Sequence, residues 1–220
     1  MIFALPLMSD AELVQMAEKG VVMAVVGRTV TGEFRAPVVT ADHEGGAYDA
    51  VAHLVQEHGK QRIAYIHGPT EQSDDARRFA GYCRALADAG LPFTPELTGY
   101  AGRSHDWAAI ALEKMVKLGL RPDAVFCFND ELAYGIYRKA RQLGMQIPDD
   151  LAAIGVDDTR TGRHIHPALT TVGVPAFQMG EMAAHKLINQ LESKEAEPGA
   201  LILPTTLIPR GSCGCGEPGQ

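Results

Sequence analysis

Hydrophobic and polar positions along the chain switch between two periods. Short apolar runs rich in β-branched residues recur, and between them lie stretches of about 12–16 residues with apolar positions at helical spacing. Such an alternation of strands and helices is typical of repeated βαβ units, whose strands form a parallel sheet. The pattern therefore predicts an α/β fold.

The predicted strands and helices cover nearly the whole chain. A strand at 2–5 leads to a helix that begins at the capping box Ser9-Asp10-Ala11-Glu12. A later helix has an apolar face formed by Ala47, Val51 and Leu54. The other strands are predicted at 21–26, 37–40, 62–66, 97–100, 124–128, 151–156, 170–174 and 200–208. The other helices are predicted at 75–89, 104–118, 130–143 and 178–192.

Composition and charge narrow the classes of function. The 220 residues are 46% hydrophobic and 21% charged, as in an ordinary globular protein. Acidic residues outnumber basic ones by 27 to 20 and no Lys/Arg block occurs, so no nucleic-acid-binding surface is predicted. The apolar start, Met1–Leu7, has neither a basic n-region nor a cleavage site, and no apolar run reaches the roughly 20 residues of a membrane helix. The four cysteines form no disulfide framework, and a cytoplasmic location is predicted.

Polar residues follow several of the predicted strands. They are Gly27-Arg28, Gly68-Pro69-Thr70, Asn129-Asp130 and Asp157-Asp158. Each group also has a local explanation, since Asp130 can cap a helix and the aspartate pair can form a turn. In open α/β sheets, however, ligands bind beyond the carboxyl ends of the strands. The repeated position therefore favours a ligand cleft.

Residues 148–158, with the sequence PDDLAAIGVDD, resemble the segment VPDDIAVVGFDD of LacI/GalR-type transcriptional repressors. The other matches are Asp42 with Gly45-Gly46 to DNxxGG, 58–64 to GHRRIA, 78–82 to RxxGF, 123–130 to TAVFCxND, 167–172 to PxLTTV and 203–212 to LPxxLxxRxS. The combined order of these motifs is specific. The chain thus resembles the effector-binding portion of such a repressor, a small-molecule sensor.

The resemblance implies a periplasmic-binding-protein-like fold of type I. Two Rossmann-like parallel-sheet subdomains are joined by three crossovers, expected near Gly68-Pro69, 171–175 and 197–201, with the effector between the subdomains. The DNA-binding head and the first units of the N-subdomain are expected to precede Met1, so that DNA is bound only through the absent head. Homodimers are also implied. The expected division is 1–68 and 176–197 as a partial N-subdomain, 69–171 and 198–212 as the C-subdomain, and 213–220 as a tail.

Site residues follow from the resemblance position by position. The implied ligand contacts are Arg78, Asn129 and Asp157, with Arg28 as a weaker candidate and Gln72 and Ala101 at positions the family varies. An arginine fork and a carboxylate can bracket vicinal hydroxyls or a carboxylate group by charge-assisted hydrogen bonds. A sugar, a sugar acid or a related polar metabolite is therefore the expected effector.

The sequence departs from the family at two positions near this site. Ala101 stands where many relatives have a stacking aromatic, and Val156 replaces a Phe or Tyr before the aspartate pair. Tyr100 or Trp107 can supply a ring instead, although a packing role for Trp107 is equally compatible with its place at a helix start. The chemistry of the effector thus stays open at this stage.

Other classes of function rank lower. The soluble receptor of an ABC sugar transporter shares the fold, but no signal peptide is found. No enzyme is predicted, because GxSxG, P-loop, GxGxxG and HExxH patterns are absent, and no cofactor is expected. His164-x-His166 with an aspartate of 157–158 is a weak metal candidate, and Cys213-Gly214-Cys215 can bind a metal or oxidise but reads more simply as a flexible end. No metal site is therefore predicted.

Overall fold

The computed structural model describes residues 1–4, 8–69, 73–193 and 199–216. Within these ranges the chain forms two compact units. The first unit is built mainly from residues of 1–42 and 175–205, and the second from residues of 43–69, 75–174 and 206–216. Among the described helices, none combines the length and the apolar character that crossing a bilayer requires.

Strands and helices alternate along the chain as the sequence predicts. The strands are β1 (Ile2–Ala4), β2 (Ala24–Val26), β3 (Pro37–Ala41), β4 (Ile63–His67), β5 (Thr98–Tyr100), β6 (Ala124–Cys127), β7 (Ala152–Val156), β8 (Thr170–Gly173), β9 (Gly199–Leu203) and β10 (Thr206–Ile208). The α-helices are α1 (Asp10–Glu18), α2 (His43–Gln56), α3 (Ser73–Asp88), α4 (His105–Lys117), α5 (Asp130–Gln142) and α6 (Ala176–Ser193). The predicted α/β fold is confirmed.

The first unit contains a parallel sheet with the strand order β1-β2-β3-β9. The predicted capping box begins α1, because the Ser9 hydroxyl accepts a hydrogen bond from the Glu12 amide and the Glu12 carboxylate accepts one from the Ser9 amide. Leu13 of α1 is fully buried and packs with Met23, Val25 and neighbouring apolar side chains. The apolar stripe of α1 thus covers one face of this sheet.

The second unit contains a larger sheet with the strand order β10-β8-β7-β6-β4-β5. Its strands are parallel except β10, which pairs antiparallel to β8. Side chains of β6 alternate between two cores: Ala124 and Phe126 pack with residues of α2 and α3, and Val125 and Cys127 pack with residues of α4 and α5. Burial on both faces explains why this strand reads as a continuous apolar run.

The pairing of two segments differs from the predicted domain boundaries. β4 pairs with β6, with Ile63 opposite Ala124, so residues 43–68 belong to the second unit and not to the first. The single strand predicted at 200–208 is two strands: β9 pairs with β3 in the first sheet, and β10 pairs with β8 in the second. The chain passes from the first unit to the second near residue 42 and again near residue 205, whereas the resemblance implied crossovers near Gly68-Pro69 and 197–201. A hydrophobic run indicates a strand but not the strand with which it pairs.

Candidate ligand-binding site

The carboxyl ends of β5, β4, β6 and β7 lie side by side at one edge of the second sheet, since these strands are parallel neighbours. Ala101 directly follows β5, Asn129 lies two residues after β6, and Asp157 directly follows β7. Three of the predicted site residues are therefore brought to the same edge. In open α/β sheets this edge is the usual position of a ligand.

Arg78 of α3 supports this edge from the protein interior. The residue is only 4% exposed. One guanidinium nitrogen, Nη1, donates a hydrogen bond of 2.7 Å to the Phe128 carbonyl, and the guanidinium carbon lies 4.4 Å from the centre of the Phe128 ring. The other, Nη2, lies 3.2 Å from Nδ1 of His43 at the start of α2. Arg78 thus joins the end of β6 to α2. Its contact with a ligand stays a prediction.

Asn129 takes the helix-capping role that the sequence predicted for Asp130. Asn129 is the N-cap of α5, and its Oδ1 accepts a hydrogen bond of 3.0 Å from the Leu132 amide. Asp130, predicted as the cap, is fully buried and accepts hydrogen bonds of 2.7 Å from the Thr171 hydroxyl and from the Thr159 amide. Burial raises the pKa of Asp130, although these hydrogen bonds act in the opposite direction. Asp130 is an internal anchor of the sheet edge.

The two aspartates after β7 adopt backbone conformations that residues with side chains rarely take. The φ angle is 107° at Asp157 and 53° at Asp158. Asp158 accepts hydrogen bonds from Arg210 and Arg163, and these bonds outweigh the effect of burial and lower its pKa. Asp157 is exposed, and its amide donates to the Val172 carbonyl at 2.9 Å. Of the two carboxylates, Asp157 is the one presented to solvent at the sheet edge.

The closing family motif, 203–212, supplies support for this turn. Arg210 donates to the Leu169 carbonyl at 2.7 Å as well as to Asp158. Ser212 donates to the Ala153 carbonyl at 2.5 Å and accepts from the Thr170 amide at 2.8 Å. These buried contacts fix the turn after β7 against β8.

Arg28 lies in the first unit, two residues after β2, and is only 9% exposed. Its Nη2 forms an ion pair of 2.5 Å with Asp10 and donates to the Met8 carbonyl at 3.2 Å. Burial would raise the pKa of Asp10, but hydrogen bonds from Thr31 and Arg28 outweigh it and lower the pKa. Arg28 therefore holds the start of α1 against the loop after β2, which is a structural role the sequence did not reveal.

Of the other predicted site positions, one is not described and the other is buried. Gln72 lies outside the described residues. Ala101 is buried, and its amide donates to the His67 carbonyl at 3.0 Å. Tyr100 and Trp107 are both more than half exposed and line a shared surface groove of about 480 Å³. Trp107 is therefore not a core-packing residue, and the two rings are available at the side of the second unit.

Sequence reasoning missed a histidine at this edge. Nδ1 of His67, the last residue of β4, lies 2.9 Å from one carboxylate oxygen of Asp75. The other oxygen of Asp75 accepts hydrogen bonds from the Tyr65 hydroxyl at 3.1 Å and the Gly68 amide at 3.0 Å. This arrangement fixes the ring of His67 beside Gly68. The available signal was a histidine at a strand end, directly before Gly68-Pro69.

Comparisons with known proteins identify the family of this chain. Residues 51–213 match the family described as periplasmic binding protein-like domain. Catabolite control protein A of Priestia megaterium is 31% identical over 88% of this chain and 58% of its own length, and the HTH-type transcriptional regulator CelR of Thermobifida fusca is 32% identical over 96% and 62%. A solved complex of the transcriptional regulator CelR with cellobiose has a TM-score of 0.88 at 30% identity, over 96% of this chain and 64% of that one. The chain thus spans less than two thirds of the length of these relatives. It belongs to the periplasmic binding protein-like domain family, in the form that occurs in LacI-family transcriptional regulators.

Proposed function

We propose that this chain is the effector-binding part of a LacI-type transcriptional regulator and that its effector is a sugar, a sugar acid or a similar polar metabolite. Family membership and the likeness to a regulator solved with cellobiose support this assignment. In a protein that also carries a DNA-binding head, a ligand that prefers one arrangement of the effector-binding part changes the affinity for DNA. The competing assignment, a transport receptor, has less support because the relatives named above are regulators.

The observation that carries the proposal is the position of Asn129 and Asp157 on neighbouring strands of one sheet. β6 and β7 are adjacent and parallel, so both side chains stand at the same edge. The Asn129 oxygen caps α5, which leaves the amide N–H groups as the part of that side chain suited to a ligand. Asp157 is exposed, and carboxylate oxygens accept hydrogen bonds from hydroxyl groups. An amide donor beside a carboxylate acceptor is suited to vicinal hydroxyls.

Calorimetric titration of the 220-residue chain tests this site directly. Cellobiose, monosaccharides, sugar acids and nucleosides are first screened by thermal shift, because a ligand that binds only the folded state raises the melting temperature. With a ligand so identified, Asp157→Asn is expected to weaken binding more than tenfold, since a lost charge-assisted contact costs about 2–5 kcal/mol.

The matched control is Asp149→Asn, an exposed aspartate before the opposite, amino end of β7. This variant is expected to bind as the wild type does. Equal affinities for wild type and Asp157→Asn would contradict the assignment of the site, and a screen without any binder would contradict the proposed effector class. The ligand is also expected to be recovered chemically unchanged after incubation, because a sensor has no catalytic step.

We further propose that two copies of the chain associate through α6. Phe177 is 87% exposed, and Ile188 and Leu191 also face solvent. Phe177 and Ile188 are about three helical turns apart and Leu191 is about one turn further, so the three side chains share one side of the helix. Analytical ultracentrifugation is expected to give a dimer for the wild type and a monomer for Phe177→Glu, and a monomeric wild type would contradict the proposal.

A further inference from the structure

Two imidazoles and two thiols meet at a place that the candidate ligand site does not use. They belong to His53 on α2, His58 just beyond its end, and Cys213 and Cys215 near the end of the described chain. The four potential ligand atoms all lie within 4.8 Å of one another. All four residues belong to the second unit. The sequence predicted a flexible tail here, because Cys213 and Cys215 lie in a Gly-rich stretch after the last predicted strand.

Four of the six spacings between these atoms match the edges of a tetrahedral metal centre. Nε2 of His53 and Nε2 of His58 are 3.2 Å apart, and Nε2 of His53 is 3.4 Å from Sγ of Cys213. Sγ of Cys215 lies 3.5 Å from Nε2 of both histidines. With zinc bonds of about 2.3 Å to sulfur and about 2.05 Å to nitrogen, a regular tetrahedron has edges of about 3.3 Å between nitrogens and about 3.6 Å between nitrogen and sulfur. The four measured edges agree with these values.

The backbone explains why both thiols face the histidine rings. Gly214 has a φ angle of 109°, a conformation that favours glycine. A Cβ atom at Gly214 would lie 3.0 Å from Nδ1 of His58, so the ring fills the space that a side chain would need. Cys213 is buried and Cys215 is half-buried, which leaves the cluster at the boundary between core and solvent. An ion can therefore reach it without the core opening.

We propose that His53, His58, Cys213 and Cys215 form a structural Zn²⁺ site that ties the segment after residue 210 to the end of α2. Two thiolates and two imidazoles are a ligand set of structural zinc sites, and the H-x₄-H spacing lies within the range such sites use. Four protein ligands close the coordination sphere, so the ion has a structural role and not a catalytic one. On binding, the ion replaces the two thiol protons, which pass to solvent.

Metal titration of the complete, reduced and metal-stripped chain tests the site. Cobalt(II) is the spectroscopic probe: one equivalent is expected to produce a thiolate-to-cobalt charge-transfer band and the intense visible absorption of tetrahedral coordination. One equivalent of Zn²⁺ is expected to bleach both, and to raise the melting temperature of the chain. A chain that shows neither absorption nor a thermal shift would overturn the proposal. Oxidation of Cys213 and Cys215 to a disulfide without any metal binding would overturn it too.

Variants at two of the three half-buried ligands separate coordination from folding. Cys215→Ser and His58→Gln are each expected to weaken metal binding more than about 100-fold, since even residues that merely support a ligand are worth 10–100-fold. Cys83→Ser and His105→Gln, which change the same residue types outside the cluster, are expected to bind cobalt as the wild type does. Equal loss in the control variants, or unchanged affinity in the ligand variants, would contradict the site. Because the readout is the metal spectrum, the result is independent of the sugar titrations.

Discussion

The two sheets of this chain differ in how well their strands are covered. In the first unit the outer strands β1 and β9 leave large apolar side chains in solvent, with Ile2 45% and Ile202 51% exposed. The inner strands are buried in both units, β2 and β3 in the first and β6 and β7 in the second. In the second unit an extensive apolar cluster packs on each face of the sheet, whereas the cluster around Leu13 of the first unit is small. Since apolar burial is the main source of stability, the second unit should be the more stable of the two.

The difference between the two units also affects the candidate ligand site. Asn129 and Asp157 stand just beyond the ends of two fully buried strands, where packing fixes the backbone that carries them. Ligand contacts are held most accurately when they are built on rigid elements. In the first unit, Arg28 is instead held by an ion pair with Asp10 and a hydrogen bond to the Met8 carbonyl. We therefore expect the second unit to supply the fixed part of the recognition surface.

The largest effect should come from truncating the two cores. Phe126→Ala removes a fully buried ring from the centre of the larger sheet and should lower the free energy of unfolding by about 3–5 kcal/mol. Leu13→Ala opens the smaller core of the first unit and should cost about 2–3 kcal/mol. Urea unfolding followed by circular dichroism measures both. An equal or larger loss for Leu13→Ala would contradict the proposed ranking of the two units.

The second prediction concerns the buried carboxyl group of Asp130. Because its pKa is raised in the folded state, its contribution to stability is fully present below the ordinary carboxyl pKa and is lost as the pH rises through the raised value. Asp130→Asn should lower the free energy of unfolding by about 1–3 kcal/mol, since the Thr159 amide then faces an N–H group or loses its acceptor. The cost should be larger at pH 4 than at pH 7.

Thermal unfolding at both pH values checks this sign, with Asp149→Asn as the exposed control. Asp158 should behave in the opposite way, because Arg163 and Arg210 lower its pKa and its contribution is lost as the pH falls. A penalty for Asp130→Asn that grows from pH 4 to pH 7 would contradict the burial argument.

Hydrogen exchange can locate the boundary between the two units. Amides of β6 and β7 should exchange at least tenfold more slowly than those of β2 and β3, a difference of about 1.4 kcal/mol in opening free energy. Residues 43–56 and 63–67 should follow β6, because they belong to the second unit. Mass spectrometry of peptides resolves these segments. Exchange of α2 and β4 together with β2 would instead support the boundary near residue 68.

Contacts between near neighbours in the sequence were predictable, and contacts between distant residues were not. The capping box at Ser9 and Glu12 lies within one turn of helix, so the local pattern identified it correctly. The pairing of β9 with β3 joins segments more than 150 residues apart, and no periodicity encodes it. The same holds for Asp130, whose burial depends on Thr171 across the sheet. The family pattern placed Arg78 at the site but did not reveal that Phe128 and His43 hold its guanidinium.

The smallest predicted effect is a difference between Ser9 and Ser104, which the sequence predicts equally as helix caps. Both Ser9 and Ser104 stand at the N-cap of a helix, but only the Ser9 hydroxyl accepts a cap hydrogen bond from the helix backbone. Ser9→Ala should therefore destabilise the first unit by about 1 kcal/mol, whereas Ser104→Ala in the second unit should cost only a few tenths of that amount. Ser9→Asp, which keeps an acceptor at the cap, should restore most of the loss. Urea midpoints of the three variants measure the difference, and equal losses for the two alanine variants would show that the cap bond of α1 contributes nothing to the stability of the smaller unit.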